Sequence, residues 1–67
     1  MEQIFKIGAV SAASKGKRIL SDHGYRARLT KTDDASEGCA WGLAVSGKDA
    51  EAATRILRAA GVRYELL

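Results

Sequence analysis

Arg18-Ile19-Leu20-Ser21-Asp22-His23-Gly24-Tyr25-Arg26-Ala27-Arg28-Leu29 and Arg55-Ile56-Leu57-Arg58-Ala59-Ala60-Gly61-Val62-Arg63-Tyr64-Glu65-Leu66 are the two stretches that decide how this chain folds. The second follows the first at an offset of 37, from Arg18 to Arg55, and the same offset matches Ala13 with Ala50 and Gly24 with Gly61. Both copies read as an amphipathic run, a glycine and then an alternating run. That is the order helix, C-terminal cap, strand. The chain is a duplicated unit.

Working outward, the first helix is predicted from Ser11 to His23, with Ala12, Ala13, Gly16, Ile19 and Leu20 inward and Lys15, Lys17 and Arg18 toward water. Ser11 suits its N-cap, and Gly24 suits the left-handed residue that ends it. The second helix is predicted from Lys48 to Ala60, with Ala50, Ala53, Ile56, Leu57 and Ala60 inward, Ser46 or Lys48 as its start and Gly61 as its stop. Tyr25, Ala27 and Leu29, and later Val62, Tyr64 and Leu66, alternate with polar residues as half-buried edge strands do. The apolar runs ahead of each helix, Ile4 to Val10 and Trp41 to Val45, suit central strands. The element order is therefore βαββαβ. Right-handed crossovers joined by a hairpin then predict an α+β, ferredoxin-like domain, its four-stranded antiparallel sheet in the order 4-1-3-2 with both helices on one face. A different strand order built from the same elements is the rival arrangement.

The 67 residues fit a single domain, 1–67, and the 46% hydrophobic and 28% charged fractions argue against disorder. No apolar run approaches the roughly 20 residues that span a bilayer, and the N-terminus lacks a basic region before an apolar stretch, so a cytoplasmic protein without a membrane is expected. One cysteine and one histidine supply too few soft ligands for a self-contained zinc site, so no metal and no cofactor are expected. The formal charge of +3 comes from basic residues dispersed among acidic ones, which argues against a nucleic-acid partner.

Between the second and third strands, Lys31 to Ala40 reads as a polar loop longer than a tight hairpin needs, and loops of this kind carry function. It contains the single cysteine, Cys39. In the predicted topology this loop shares a sheet end with the start of the first helix, which brings Cys39 near Ser11. A helix N-terminus favours a thiolate over the thiol, whose ordinary pKa is about 8.5, so Cys39 could serve as a nucleophile there. Gly38 before it and Ala40 after it leave room for an extra atom or a partner's backbone. Asp33, Asp34 and Glu37 act against the thiolate. Free cysteine is also among the most buried residue types, so a packed, inert thiol is the competing reading.

Phe5 to Val10, Ala13 to Gly24, Ser36-Glu37-Gly38-Cys39-Ala40, Leu43 to Val45 and Asp49 to Val62 together resemble the selenium/sulfur carrier-like family of small βαββαβ domains, whose function is largely unknown. The resemblance covers nearly the whole chain, with Ala40 standing where the family most often has glycine. It implies that Cys39 carries sulfur or selenium as a persulfide or selenide. It also implies that Ser36, Gly38 and Ala40 form the supporting loop, and that the partners are donor and acceptor enzymes. Better-understood sulfur-relay proteins of this size use a cysteine followed by proline, and this chain has no proline.

His23 is expected as a cap at the C-terminal end of the first helix, far from Cys39, so a Cys–His pair is not expected. Trp41 is expected to pack in the core, with a cover over the Cys39 sulfur as the other reading. The outer sheet face should carry Lys6, Gly8, Gly42, Ala44, Arg26, Arg28, Arg63 and Glu65, a flat platform suited to a homodimer contact or an anionic ligand, with a merely solvated face as the competing reading. No carboxylate pair, nucleophile–base pair or phosphate-binding glycine loop can be assembled, so no catalytic residue is assigned. Two readings result: a non-enzymatic chalcogen carrier, or an interaction or ligand-sensing module in which Cys39 is incidental.

Overall fold

The computed structural model describes residues 1–34 and 38–67, with Asp33, Asp34, Gly38 and Cys39 described by their backbone. The elements are β1 (Glu2–Gly8), α1 (Val10–Asp22), β2 (Ala27–Asp34), β3 (Gly38–Ser46), a short 3-10 turn (Gly47–Asp49), α2 (Ala50–Ala59) and β4 (Glu65–Leu66). β1 pairs antiparallel with both β3 and β4, and β2 pairs antiparallel with β3. The sheet order is β2-β3-β1-β4, which read from its other edge is 4-1-3-2. No described helix is long and apolar enough to cross a membrane.

The repeat in the sequence is a repeat in hydrogen bonding. At the end of α1, the Tyr25 N–H donates to the Leu20 carbonyl at 2.9 Å and the Gly24 N–H to Ser21 at 3.0 Å. Thirty-seven residues later, the Val62 N–H donates to Leu57 at 2.9 Å and the Gly61 N–H to Arg58 at 3.1 Å. This is the paired closure of a Schellman cap, made twice. It needs a left-handed residue at one position, and Gly24 (φ 84°) and Gly61 (φ 78°) supply it. Gly24→Ala and Gly61→Ala are each expected to destabilise by about 1–2 kcal/mol, because a Cβ disfavours that backbone region. Chemical denaturation of the two variants checks this, and a gain in stability would contradict the cap assignment.

Phe5, Leu20, Leu43, Val45, Ala53 and Leu57 form the buried core, so α1 and α2 cover the same face of the sheet. β1 and β3 contribute Phe5 and Leu43, which lie directly across from each other. Tyr64 closes the cluster edge-on, its ring centroid 5.2 Å from that of Phe5. The inward helix positions follow the predicted stripes: Ala13, Gly16 and Leu20 are buried in α1, Ala53 and Leu57 in α2.

Several boundaries differ from expectation. β1 runs from Glu2 to Gly8, and Val10 opens α1, half exposed, instead of closing the strand. Ser11 is not the N-cap of α1. Ala9 holds that place with an extended backbone, accepting the Ala13 N–H at 3.0 Å with no side-chain cap bond, and Ser11 is an exposed second helical residue. The cause is the positive φ of Gly8 (119°), which turns the chain out of β1 earlier than the apolar run suggests. Ser46 begins the 3-10 turn, again without a side-chain cap bond, and α2 itself starts at Ala50, not Lys48. β4 is restricted to Glu65 and Leu66, although Val62 and Tyr64 still pack on the core.

The largest correction concerns Lys31 to Ala40. Lys31, Thr32, Asp33 and Asp34 continue β2, pairing with Trp41, Ala40, Cys39 and Gly38 of β3. Ladder hydrogen bonds are made by the backbone, so a polar stretch pairs as readily as an apolar one once its neighbour is in register. Thr32 adds a side-chain bond, its hydroxyl donating to the Ala40 carbonyl at 3.0 Å, and both residues are buried.

Candidate functional site

Cys39 belongs to strand β3, not to a loop. β1 ends at Gly8, opposite Trp41, whereas β3 and β2 run on together through Ala40, Cys39 and Gly38. At about 3.3 Å per residue, the Cys39 backbone lies roughly 7 Å past the level of Gly8. It therefore sits on a two-stranded extension at the end of the sheet where α1 begins, two residues after Gly8. The topology brings Cys39 and the first turn of α1, with Ser11, to one end of the domain. Gly38 and Ala40 flank Cys39 in the same strand, and Ala40 is buried. Ser36, expected as part of the support, lies outside the described residues, as does the surrounding of the Cys39 side chain.

The register also sets Asp33 directly across from Cys39. Opposed residues in an antiparallel ladder share a face with Cα atoms about 4.5–5.5 Å apart. Strand pairing thus makes specific what the sequence shows only as a nearby run of acids.

Trp41, two residues on, is half-buried instead of fully packed, and the Lys31 Nζ lies 5.8 Å from its ring centroid. Cross-strand pairing brings the two together. His23 is the C-cap of α1: its Nδ1 donates to the Ile19 carbonyl at 2.9 Å, which leaves Nε2 without the proton in the neutral ring. A helix of 13 residues, about 20 Å, separates that end from the start of α1, so His23 and Cys39 are not brought together.

Two open grooves are lined by described residues. One of about 990 Å³ lies at the end far from Cys39, lined among others by Lys17, Tyr25, Arg26, Lys48 and Asp49. The other, about 820 Å³, is lined by Lys6, Arg58, Arg63 and Glu65 among others. Lys17, Arg26 and Lys48 make no ion pair or hydrogen bond among the described residues, whereas Arg28 is bound to Glu2 at 3.0 Å. These groove residues were not foreseen as a group, because they come from α1, the segment leading into β2 and the 3-10 turn; only the arginine alternation after Gly24 hinted at them.

On the outer face, the register aligns Lys6 with Gly42, Ile4 with Ala44, Arg28 with Ala44 and Glu65 with Lys6. Gly8, expected in that row, leaves it through the register shift after Lys6 and faces Trp41. Among the described residues, no three His, Cys, Asp or Glu side chains gather as a metal site. No protein-family model matches this chain, and neither a curated protein nor a solved structure matches it.

Proposed function

We propose that this chain is a non-enzymatic carrier of sulfur or selenium, in which Cys39 accepts the chalcogen from one enzyme and presents it to another. We assign the βαββαβ arrangement to the ferredoxin-like class on the same footing. The observation that supports the carrier reading is the position of Cys39 on the β2–β3 extension past the end of β1, at the end where α1 begins. On this reading a partner protein approaches Cys39 from that end of the domain.

The chemistry is thiol exchange. The Cys39 thiolate attacks the outer sulfur of a donor persulfide, the donor S–S bond breaks, and the donor leaves as a thiolate while Cys39 becomes the persulfide. One S–S bond is lost and one is made, so no external oxidant enters. A selenium atom moves by the same exchange.

Incubation with a small-molecule persulfide donor is expected to add one chalcogen atom to the native chain, seen as a mass increment that reduction removes. Cys39→Ser is expected to abolish the increment while leaving the circular-dichroism spectrum unchanged. Alkylation against pH is expected to reveal the thiolate below pH 8. A native thiol inert to both reagents, accessible only after unfolding, would sink the carrier reading.

The second reading is an interaction or ligand-sensing module with Cys39 incidental. Lys17, Arg26 and Lys48 around the groove opposite Cys39, none with an ion pair or hydrogen bond among the described residues, favour it. Binding of an anionic ligand unaffected by Cys39→Ser, together with an inert thiol, is the result that selects it.

A further inference from the structure

The sheet has two edges of very different character. β4 is two residues long, whereas β2 is eight residues long and pairs with β3 along its whole length without a register shift. A long edge with neither bulge nor proline presents its free N–H and C=O groups as a template for another strand. Lysine is a common guard of such edges, but Lys31 is drawn toward Trp41 on β3, away from the free side. Charge runs in one direction along the strand, with Arg28 near its start, Arg26 just ahead of it, and Asp33 and Asp34 at its end. An antiparallel copy of the same strand sets each end against its opposite; a parallel copy sets like against like.

We propose that this chain forms a two-fold homodimer by antiparallel pairing of β2 with β2 of a second copy, joining the two four-stranded sheets into one. A two-fold axis perpendicular to the sheet requires one residue to face its own copy. With the axis at Thr30, Arg28 faces Thr32 of the second copy and Arg26 faces Asp34. Arg28, Thr30, Thr32 and Asp34 hold the register positions of β2 that alternate with Ala27 and Leu29, which pack on the core, and Arg26, one residue ahead of the strand, continues that spacing, so opposed residues share a face. Arg28 already holds Glu2 at 3.0 Å, and Arg26, which has no partner among the described residues, is the cation left for Asp34. Axes at the neighbouring positions serve less well. At Lys31 two lysines oppose each other, and at Leu29 Asp34 falls opposite Gly24, which offers no cation.

Sedimentation equilibrium of the full chain, carried to millimolar concentration, is expected to report twice the 7.2 kDa chain mass. Thr30→Lys, which brings two like charges together at the axis, is expected to return the mass to one chain. Arg26→Asp and Asp34→Arg are each expected to weaken association roughly tenfold, since two symmetric pairs turn from attraction to repulsion. The double variant Arg26→Asp/Asp34→Arg is expected to recover it, and added salt to weaken the wild-type dimer. Circular dichroism reports whether each variant is folded. A wild-type chain that stays single throughout, a dimer indifferent to Thr30→Lys and Arg26→Asp, or a double variant no tighter than the single ones would overturn the proposal.

Discussion

Leu57→Ala is expected to lower the unfolding free energy by about 2–5 kcal/mol, the range for emptying a buried leucine site. Leu57 has no exposed surface and packs in the same cluster as Phe5, Leu20 and Leu43, so α2 anchors to the sheet through it. Its carbonyl also accepts the Val62 N–H in the cap that turns the chain toward β4. Backbone bonds survive the truncation, so the loss comes from transfer and cavity terms alone. A domain of this size has roughly 3–10 kcal/mol in total, taking about 0.05–0.15 kcal/mol per residue. The variant is therefore expected to lose a large share of that total, and its midpoint temperature to fall by at least about 8 °C. Lys15→Ala, on the exposed face of α1, is expected to change stability by less than about 0.5 kcal/mol. Urea titration of both variants gives the comparison, and equal small effects would mean the helix faces are wrongly drawn.

Gly42→Ala is expected to destabilise by about 2–3 kcal/mol, the upper part of the range for overpacking. A Cβ at Gly42 would stand 2.5 Å from the Phe5 carbonyl oxygen and 3.3 Å from the Lys6 Cα. Both are backbone atoms of β1, the central strand paired with β3, so neither can turn aside as a flexible side chain would. Relief requires separating the two central strands next to the register shift between Lys6 and Gly8. Replacing glycine by alanine at an unstrained position usually stabilises by about 0.4–1 kcal/mol through the unfolded chain, so the sign of the effect is itself the test. A neutral or stabilising Gly42→Ala, measured by thermal unfolding, would show that β1 and β3 tolerate a wider spacing.

These two positions differ in how they were legible. Leu57 was marked by its place in the duplicated Arg-Ile-Leu segment and by helical spacing, both local properties of the chain. Gly42 looked like one small residue among several on an open face, and only the close approach of the Phe5 carbonyl gives it a specific role. The two caps belong with Leu57. Gly24 and Gly61 follow amphipathic runs of the same design, and a left-handed residue is needed wherever such a helix turns back.

For the candidate site, the sequence by itself determined the chemistry on offer: one thiol, acids close to it, and a histidine too far along the chain to join them. It also determined the βαββαβ order and the inward stripes of both helices, because periodicity and capping are set by residues within one turn or one strand of each other. Strand ends were decided elsewhere. Whether Lys31 to Asp34 pair or remain a loop depends on the register of β3, a contact between backbones that carries no local apolar signal. Only the tertiary structure set Asp33 across from Cys39, ended β1 at Gly8 so that the β2–β3 pair runs past it, and gathered Lys17, Arg26 and Lys48 around one groove. Each of these joins residues from different elements, and sheet register together with helix docking sets their distance, which no window of the sequence contains.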